Sequence, residues 1–311
     1  MSDELTDILD AATQWRTDGH GVALATVIAT WGSAPRRVGS HLLIRDDGLF
    51  LGSVSGGCVE GAVLAEAPDV IDEAGFRRLD FGVADETAWE VGLACGGRIS
   101  VLLQAIADSA FPPALLGTIA QARSHGTTLT LSTDLATGRT TVGDAPGHTG
   151  VFTHRYDPPL RLILVGAVHI AQSLVPLAEA LGFTPLIVDP RGAFAAGPRF
   201  AGHSVDSRWP DEALADWQPD SATAIVALTH DPKLDDPALA AALRSDAFYV
   251  AALGSRKNHA ARRERLAAQG FTPQQLDRIH GPAGLAIGAA NPAEIALSIA
   301  AQMIATWRQA P

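Results

Sequence analysis

The sequence predicts an α/β protein of two domains, the second built on a doubly wound parallel sheet. The chain has 311 residues, and single hydrophobic cores stop growing at roughly 250–300 residues, so two domains are expected. From residue 160 onwards, short apolar segments alternate with helical segments, as in a parallel sheet covered by helices on both faces. Before residue 145 the strand and helix signals follow a less regular order, which favours a mixed α/β domain.

The elements of the first domain can be assigned in chain order. Residues 3–18 have apolar side chains at helical spacing and end before a glycine, and residues 22–32 are predicted as a buried strand. The segment 41–57 is predicted as a hairpin, because Asp47-Gly48 is a favoured turn sequence. The remaining elements are a helix at 59–75, strands at 78–82 and 98–106, a helix at 112–125 and a second hairpin within 127–143.

A polar stretch rich in glycine and proline separates the two domains. We place the first domain at 1–145, a linker at 146–159 and the second domain at 160–311. In the second domain, a final helix at 292–308 is predicted to follow the capping residue Asn291. Buried strands are predicted at 161–166, 183–189, 223–228 and 248–254, with helices after the first, third and fourth.

Charge and composition exclude several classes of function. The formal net charge is −11, which argues against a general binder of nucleic acid or anionic membranes but permits a small anionic ligand held by a few arginines. The longest apolar run, 162–171, is too short to span a bilayer. The acidic N-terminus has no apolar segment typical of a signal peptide, and two cysteines make no disulfide framework. A cytoplasmic location is therefore expected.

The second domain begins with an altered dinucleotide-binding pattern. Gly166, Val168 and Ala171 occupy the three positions of the G-x-G-x-x-G/A motif after a strand, so valine replaces the middle glycine. Asp189 closes the next strand, where an acidic residue would bind a ribose hydroxyl. The pattern predicts a Rossmann-like domain, whereas Val168 counts against NAD(P) binding at this loop. Alternatively, Asp189 caps the turn that follows it.

Polar side chains follow three of the predicted parallel strands. They are His169, the group Thr229-His230-Asp231 and the group Gly254-Ser255-Arg256. Ligands of open α/β sheets bind at the carboxyl ends of the strands, and a guanidinium such as that of Arg256 suits a phosphorylated ligand. The competing interpretation is that Thr229 and Asp231 cap a helix and that Arg256 is solvated.

Both cysteines of the first domain stand beside paired glycines. Cys58 lies in SGGCVEG, which is predicted to open a helix, and Cys95 lies in ACGGR, next to Arg98. A thiol at a helix N-terminus is favoured as a nucleophile or metal ligand, and glycine N–H groups can meet an anion. Arg36 and Arg37 follow the first strand and add two cations. The alternative is that each cysteine is a small buried residue. Neither zinc-site spacing nor a hydrolase nucleophile elbow is present.

In series, these blocks resemble the XdhC/CoxI family of maturation factors for molybdenum hydroxylases such as xanthine dehydrogenase. The resemblance is carried by the segments GSAPRRVGSHLLIRDDGLFLGSVSGGCVEGAV, LACGGRISVLLQ, VGAVHIAQSLVPLAEALGF, IVDPRGAFA, ALTHDP, YVAALGSRKNHAARRERL and GLAIGAANPAEIALSIAAQMIA. It implies an N-terminal XdhC/CoxI domain, a C-terminal Rossmann-like domain and binding of the molybdenum cofactor. It further implies sulfuration of that cofactor with a cysteine desulfurase and its delivery to a molybdenum hydroxylase apoenzyme.

The resemblance and the residue chemistry together give a set of candidate site residues. The resemblance makes Cys95 the first candidate for holding the cofactor and its metal, and Cys58 the second. The other candidate cofactor-binding residues are Gly56, Gly57, Gly96, Gly97, Arg36, Arg37, Arg98, Gly166, His169, Asp189, His230, Ser255 and Arg256. No catalytic residue is assigned, and a homodimer is expected. The rival hypotheses are an NAD(P)-dependent oxidoreductase and a structural adaptor with buried cysteines.

Overall fold

Two compact units make up the fold, Ser2–Asp157 and Pro158–Pro311. The structure is a computed structural model and describes residues 4–32, 36–82, 97–144, 148–195, 198–200 and 202–309. The predicted α/β class is confirmed, with a mixed first unit and a parallel sheet in the second. Within these residues, none of the helices combines the length and the apolar character that crossing a membrane requires.

The first unit is built on a five-stranded antiparallel sheet in the order β3-β2-β1-β5-β4. Its strands are β1 Val22–Trp31, β2 His41–Arg45, β3 Phe50–Gly52, β4 Phe76–Phe81 and β5 Arg98–Ala105. Side chains alternate across β1: Ala23 and Ala25 pack towards α2 (Glu60–Asp72), whereas Val22 and Leu24 face the cluster that contains α1 (Glu4–Thr17) and α3 (Ala114–Ser124). Helices thus cover both faces of the sheet.

A second, three-stranded sheet of the first unit contains a strand at a place where the sequence predicts a linker. Its order is β7-β6-β8, with β6 Leu129–Asp134, β7 Thr140–Val142 and β8 Val151–Tyr156. β8 lies inside 146–159 and pairs along its whole length with β6. The glycines and prolines that suggested a linker flank this strand, and its own residues are mostly β-branched or aromatic.

The second unit carries a six-stranded parallel sheet in the order β11-β10-β9-β12-β13-β14. The strands are β9 Arg161–Val165, β10 Thr184–Val188, β11 Val205–Asp206, β12 Thr223–Ala227, β13 Tyr249–Ala252 and β14 Ile279–His280. The helices are α4 His169–Ala180, α5 Gly192–Ala195, α6 Pro210–Trp217, α7 Pro232–Arg244, α8 Arg256–Ala268, α9 Pro273–Leu276 and α10 Pro292–Gln309. The strand order reverses between β9 and β12, which is where doubly wound folds open a crevice for ligands.

Candidate functional site

Sheet topology gathers three candidate segments at one end of the first unit's sheet. β1 ends, and β5 begins, at the paired residues Trp31 and Arg98. β2 begins beside β1, where His41 pairs with Thr26, and β3 ends where Gly52 pairs with Leu42. Three segments therefore lie at the same end of the sheet: Arg36–Ser40, Ser53–Val59 and Gly97–Arg98. We call them together the N-terminal edge.

A buried carboxylate shapes the loop that carries Cys58. Glu60 is 8% exposed, and its Oε1 accepts hydrogen bonds from Ser53 Oγ (2.7 Å), Val54 N (3.2 Å) and Ser55 N (2.9 Å). Its Oε2 accepts from Ser55 Oγ and from Gly57 N (2.9 Å). Burial opposes ionisation of Glu60, but these hydrogen bonds outweigh it and lower the pKa of Glu60 to about 2. The loop is therefore closed around an anion that belongs to the chain itself.

The paired glycines serve this closed loop. Gly56 and Gly57 have φ values of 77° and 118°, a region that favours glycine. Gly56 N donates to Ser53 Oγ at 2.9 Å, and Gly57 N donates to Glu60. The sequence predicts that these N–H groups meet an anionic ligand. In the structure both N–H groups have acceptors within the chain: Ser53 Oγ, three residues before Gly56, and Glu60, which stands three residues after Gly57 on the first turn of α2.

The remaining candidates of the N-terminal edge differ in burial. Cys58 is half-buried and packs against the core beneath α2. Arg36 Nε donates to Ser53 O at 3.1 Å, and its Nη2 pairs with Glu4. Arg37 and Arg98 are exposed, and Gly97 is buried. Cys95 and Gly96, which directly precede Gly97, lie outside the described residues.

An imidazole cluster underlies the arginine-bearing loop of this edge. The ring of His154 lies 4.4 Å from that of Tyr156 and 5.3 Å from that of His41, and it fills the space that a Cβ on Gly39 would need. Burial and, more weakly, Arg37 lower the pKa of His154 to about 4, against an opposing effect of Asp157. Burial, His154 and Arg36 hold the pKa of His41 well below its usual range. Both imidazoles are therefore neutral at pH 7.

In the second unit, the carboxyl ends of the parallel strands form a second edge. We call Gly166–His169, Asp189, Thr229–Asp231 and Gly254–Arg256 together the C-terminal edge. Gly166 has φ 113°, and a Cβ there would lie 2.6 Å from Thr229 Cγ2, so β9 and β12 close together at the switch in strand order. Val168 is half-buried against the core and precedes α4 without a side-chain cap, whereas His169 is exposed.

Asp189 is engaged inside the fold. It is fully buried, and its carboxylate accepts hydrogen bonds from Ala167 N (2.8 Å) and from Arg191 N (3.0 Å), Nε (2.9 Å) and Nη2 (2.7 Å). Burial opposes its ionisation, yet the bonds from Arg191 and Ala167 lower the pKa of Asp189. The carboxylate thus ties the motif loop to the end of β10, which agrees with the capping alternative and leaves it poorly placed for a ribose hydroxyl.

The group after β12 is organised by a second buried carboxylate, that of Asp235. Asp235 accepts from Thr229 Oγ1 at 2.6 Å and pairs with the buried Arg262 of α8 at 3.2 Å. Asp231 caps α7 by accepting from Lys233 N at 2.9 Å. His230 is exposed and has φ 61°, a conformation that costs energy for a residue with a side chain.

The group after β13 opens α8. Ser255 Oγ caps this helix by accepting from Asn258 N at 3.2 Å, and Arg256 is exposed on its first turn. Gly254 has φ 133°, and a Cβ there would meet Asn258 at 3.3 Å and His230 Nδ1 at 3.9 Å. His230 therefore lies beside the start of α8. The structure brings His169, His230 and Arg256 to one edge, while Ser255 and Asp231 act as helix caps.

The sequence predicts Cys58 and Cys95 as metal ligands, and the described residues show no cluster of metal-ligating side chains that would complete such a site. In the ranges that the structure covers, histidine, cysteine, aspartate and glutamate side chains form no group of three able to hold an ion. Cys58 is a free thiol, and Cys95 falls outside those ranges.

Sequence reasoning missed two of the carboxylates that organise the edges, Glu60 and Asp235. Glu60 stands in the motif SGGCVEG, and its only local signal was the pattern of Ser53, Ser55 and the paired glycines ahead of a helix-opening glutamate. Asp235 and Arg262 are 27 residues apart, and no sequence pattern pairs them. Their burial, 1% and 4% exposed, becomes visible only in the folded chain.

Comparisons with known proteins agree with both halves of the fold. The model of the XdhC and CoxI family matches residues 15–82, and that of the XdhC Rossmann domain matches residues 162–303. The chain is 28% identical to the molybdenum cofactor insertion chaperone PaoD of Escherichia coli, over 97% of this chain and 89% of the relative. It is 28% identical to a protein of Bacillus subtilis named as a probable xanthine dehydrogenase component, over 97% of each.

A solved structure is similar in fold along the whole chain. It is a crystal structure described as a xanthine dehydrogenase from Bacillus halodurans, which superposes with a TM-score of 0.75 at 25% identity, over 100% of this chain and 97% of that one. The two family models together match more than half of the residues, in the order that the sequence resemblance implies. The chain belongs to the XdhC and CoxI family.

Proposed function

We propose that this chain is a maturation factor for a molybdenum hydroxylase and that it binds the molybdenum cofactor as cargo at the N-terminal edge. Family membership supports a maturation role, since one relative carries the name of a molybdenum cofactor insertion chaperone and another that of a xanthine dehydrogenase component. We further propose that the cargo is sulfurated with a cysteine desulfurase and delivered to the apoenzyme. A cytoplasmic homodimer is part of the same proposal.

The observation that carries the proposal is the convergence of three segments at the N-terminal edge. Arg36, Arg37 and Arg98 bring guanidinium groups to the end of the sheet where the Cys58 loop also lies. Arginine binds phosphate through paired donors, and a thiolate is a suitable ligand for a soft or borderline metal. Because the N–H groups of Gly56 and Gly57 already donate to Ser53 Oγ and to Glu60, we assign the phosphate contacts to the arginines. Cys95 is the proposed ligand of the molybdenum, since the family resemblance singles out the thiol of the CGG motif, and in the sequence it stands two residues before Gly97.

The test compares the two single-cysteine proteins, each of which keeps one thiol and controls for the other. Wild type, Cys95→Ser and Cys58→Ser are purified without oxygen from a host fed with molybdate, and bound molybdenum and oxidised pterin are measured. We expect the wild type and Cys58→Ser to carry both, and Cys95→Ser to lose at least about nine-tenths of them, which corresponds to about 1.4 kcal/mol of binding free energy.

Two results would contradict the proposal in different ways. Equal pterin in wild type and Cys95→Ser would remove the thiol from the site while leaving cargo binding intact. No pterin in any of the three proteins, from a host in which a known molybdoenzyme is loaded, would reject cargo binding itself and redirect attention to the C-terminal edge.

A further inference from the structure

One buried carboxylate holds most of the loop that carries Cys58. Within residues 53–57, Ser53 and Ser55 donate their hydroxyl groups to Glu60, and Val54, Ser55 and Gly57 donate their N–H groups. Five donors thus point at the two oxygens of one side chain. Such a ring of N–H groups normally encloses an external anion, whereas here the chain supplies the anion from the first residue of α2.

The same carboxylate also reaches the arginine-bearing segment. The hydroxyl of Ser53 donates to Glu60, and the carbonyl of Ser53 accepts from Arg36 Nε at 3.1 Å. Arg36 is held on its other side by Glu4 of α1. A continuous chain of contacts therefore runs from Glu60 through Ser53 to Arg36, and it joins two of the three segments of the N-terminal edge.

The hydrogen bonds that Glu60 accepts depend on the negative charge of its side chain as well as on its shape. The helix N-terminus favours a negative charge at its first residue, and all five donors need an acceptor with free lone pairs. A glutamine at this position would keep the length of the side chain but present an NH₂ group to donors on one of its two sides. The loop would then lose hydrogen bonds to an ionised acceptor, which are among the stronger ones in proteins.

We propose that Glu60 is the positioning residue of the N-terminal edge: its carboxylate fixes the Cys58 loop and, through Ser53, the placement of Arg36. The role of this positioning in binding the cofactor cargo rests on the proposed function. Its hold on the loop is a property of the protein alone and can be measured without any cargo.

The first experiment measures how tightly the loop is held. In a Cys95→Ser background Cys58 is the sole thiol, and its alkylation by iodoacetamide at one fixed pH reports on opening of the loop. We expect Glu60→Gln to accelerate alkylation about tenfold, equivalent to about 1.4 kcal/mol. The matched control is Glu66→Gln, which removes the same charge from the same helix but pairs with Arg77 away from the loop. It should stay within about twofold of the parent protein.

The conservative variant separates charge from shape. Glu60→Asp keeps a carboxylate, so it should restore part of the protection that Glu60→Gln loses, and equal rates for both variants would overturn the role of the charge. A parent-like rate for Glu60→Gln would overturn the proposal altogether. If Glu60→Gln does not fold, Ser53→Ala tests the same link, because it removes one donor to Glu60 and the acceptor of Gly56 N. About threefold faster alkylation is then expected, and an unchanged rate would reject the role of Glu60.

The second experiment connects the loop to cargo. In the full chain with both cysteines, Glu60→Gln should retain less pterin and molybdenum than Glu66→Gln, with Glu60→Asp in between. Full retention by a folded Glu60→Gln protein would remove Glu60 from the positioning of the site. If the wild type carries no pterin, the proposed function fails, while the alkylation rates still decide whether Glu60 holds the loop.

Discussion

The N-terminal and C-terminal edges are both organised by buried carboxylates, but the partners of those carboxylates differ. At the C-terminal edge, Asp189 pairs with Arg191 and Asp235 pairs with Arg262, so each negative charge is matched by a guanidinium. At the N-terminal edge, the hydrogen bonds that Glu60 receives come from hydroxyl and backbone N–H groups. The carboxylate that shapes the N-terminal edge therefore neutralises none of its arginines through these contacts. The acidic partner of Arg36 is instead Glu4 of α1. The comparison teaches that a buried carboxylate can be held by neutral donors alone at one site and by an ion pair at another.

The largest effect that the comparison predicts concerns the buried pair of the C-terminal edge. Asp235→Asn leaves Arg262 as an uncompensated charge among buried residues, which should lower the free energy of opening of β12 and β13 by about 3 kcal/mol or more. Amide hydrogen exchange of these strands measures it. The control is Asp47→Asn at the Arg45–Asp47 pair, where Asp47 is 49% exposed and solvent screens the charges, so a far smaller loss is expected. Equally small losses in the two variants would show that the Asp235 pair does not hold this edge.

The second prediction concerns the pH dependence of stability at the imidazole cluster beneath the N-terminal edge. The folded pKa of His154, about 4, lies below the unfolded value of 6.5, so the unfolded chain binds this proton first as the pH falls. The stability that neutral His154 contributes is complete above pH 6.5 and is lost between pH 6.5 and 4, by about 2 kcal/mol once partial exposure is allowed for. Hydrogen exchange of β8 across this range should show the loss.

Replacement of His154 checks the assignment. His154→Phe keeps an aromatic ring against Tyr156 and cannot titrate, so the pH dependence of β8 should flatten. His125→Gln, at an exposed position at the end of α3, serves as the control and should leave the dependence as in the wild type. A dependence that survives in His154→Phe would assign the acid sensitivity to another group, first of all to the buried His41.

The smallest predicted effect concerns the cap of α8. Ser255→Ala removes the acceptor of Asn258 N and should destabilise the first turn of α8 by about 1 kcal/mol. Ser221→Ala, at an exposed serine before β12, should change nothing beyond about 0.5 kcal/mol. Thermal unfolding and hydrogen exchange at α8 measure both. An unaffected first turn in Ser255→Ala would mean that Ser255 is available to a ligand rather than engaged as a cap.

Local sequence signals located most of the elements. The helix expected at 3–18 is Glu4–Thr17, and the one expected at 292–308 is Pro292–Gln309. Its predicted cap is confirmed, since Glu294 N donates to Asn291 Oδ1 at 3.0 Å. Caps, turns and hydrophobic periodicity act within a few residues, so a single sequence can reveal them. The pairing of β8 with β6 depends on residues far apart in the chain and was not visible in this way.

The sequence could predict which candidate residues share an end of a sheet, because sheet topology determines this, but it could predict no more of the candidate site. Parallel strands necessarily end at a common edge, so the placement of His230 and Arg256 at the same edge could be anticipated. Which polar groups are already engaged depends on long-range contacts and on the competition between burial and hydrogen bonding. Asp189 and Glu60 illustrate this, since the first holds Arg191 and the second takes the N–H group that Gly57 was expected to offer a ligand.

The internal carboxylate of the Cys58 loop has a consequence for the entropy of binding. A loop that waits for an external anion must be ordered when that anion arrives, and the lost conformational freedom weakens the affinity. Here Glu60 satisfies the loop in advance, with three backbone N–H groups and two hydroxyl groups already engaged. A ligand that reaches this end of the sheet therefore meets a preorganised surface, and its contacts contribute to affinity without an ordering cost for residues 53–57.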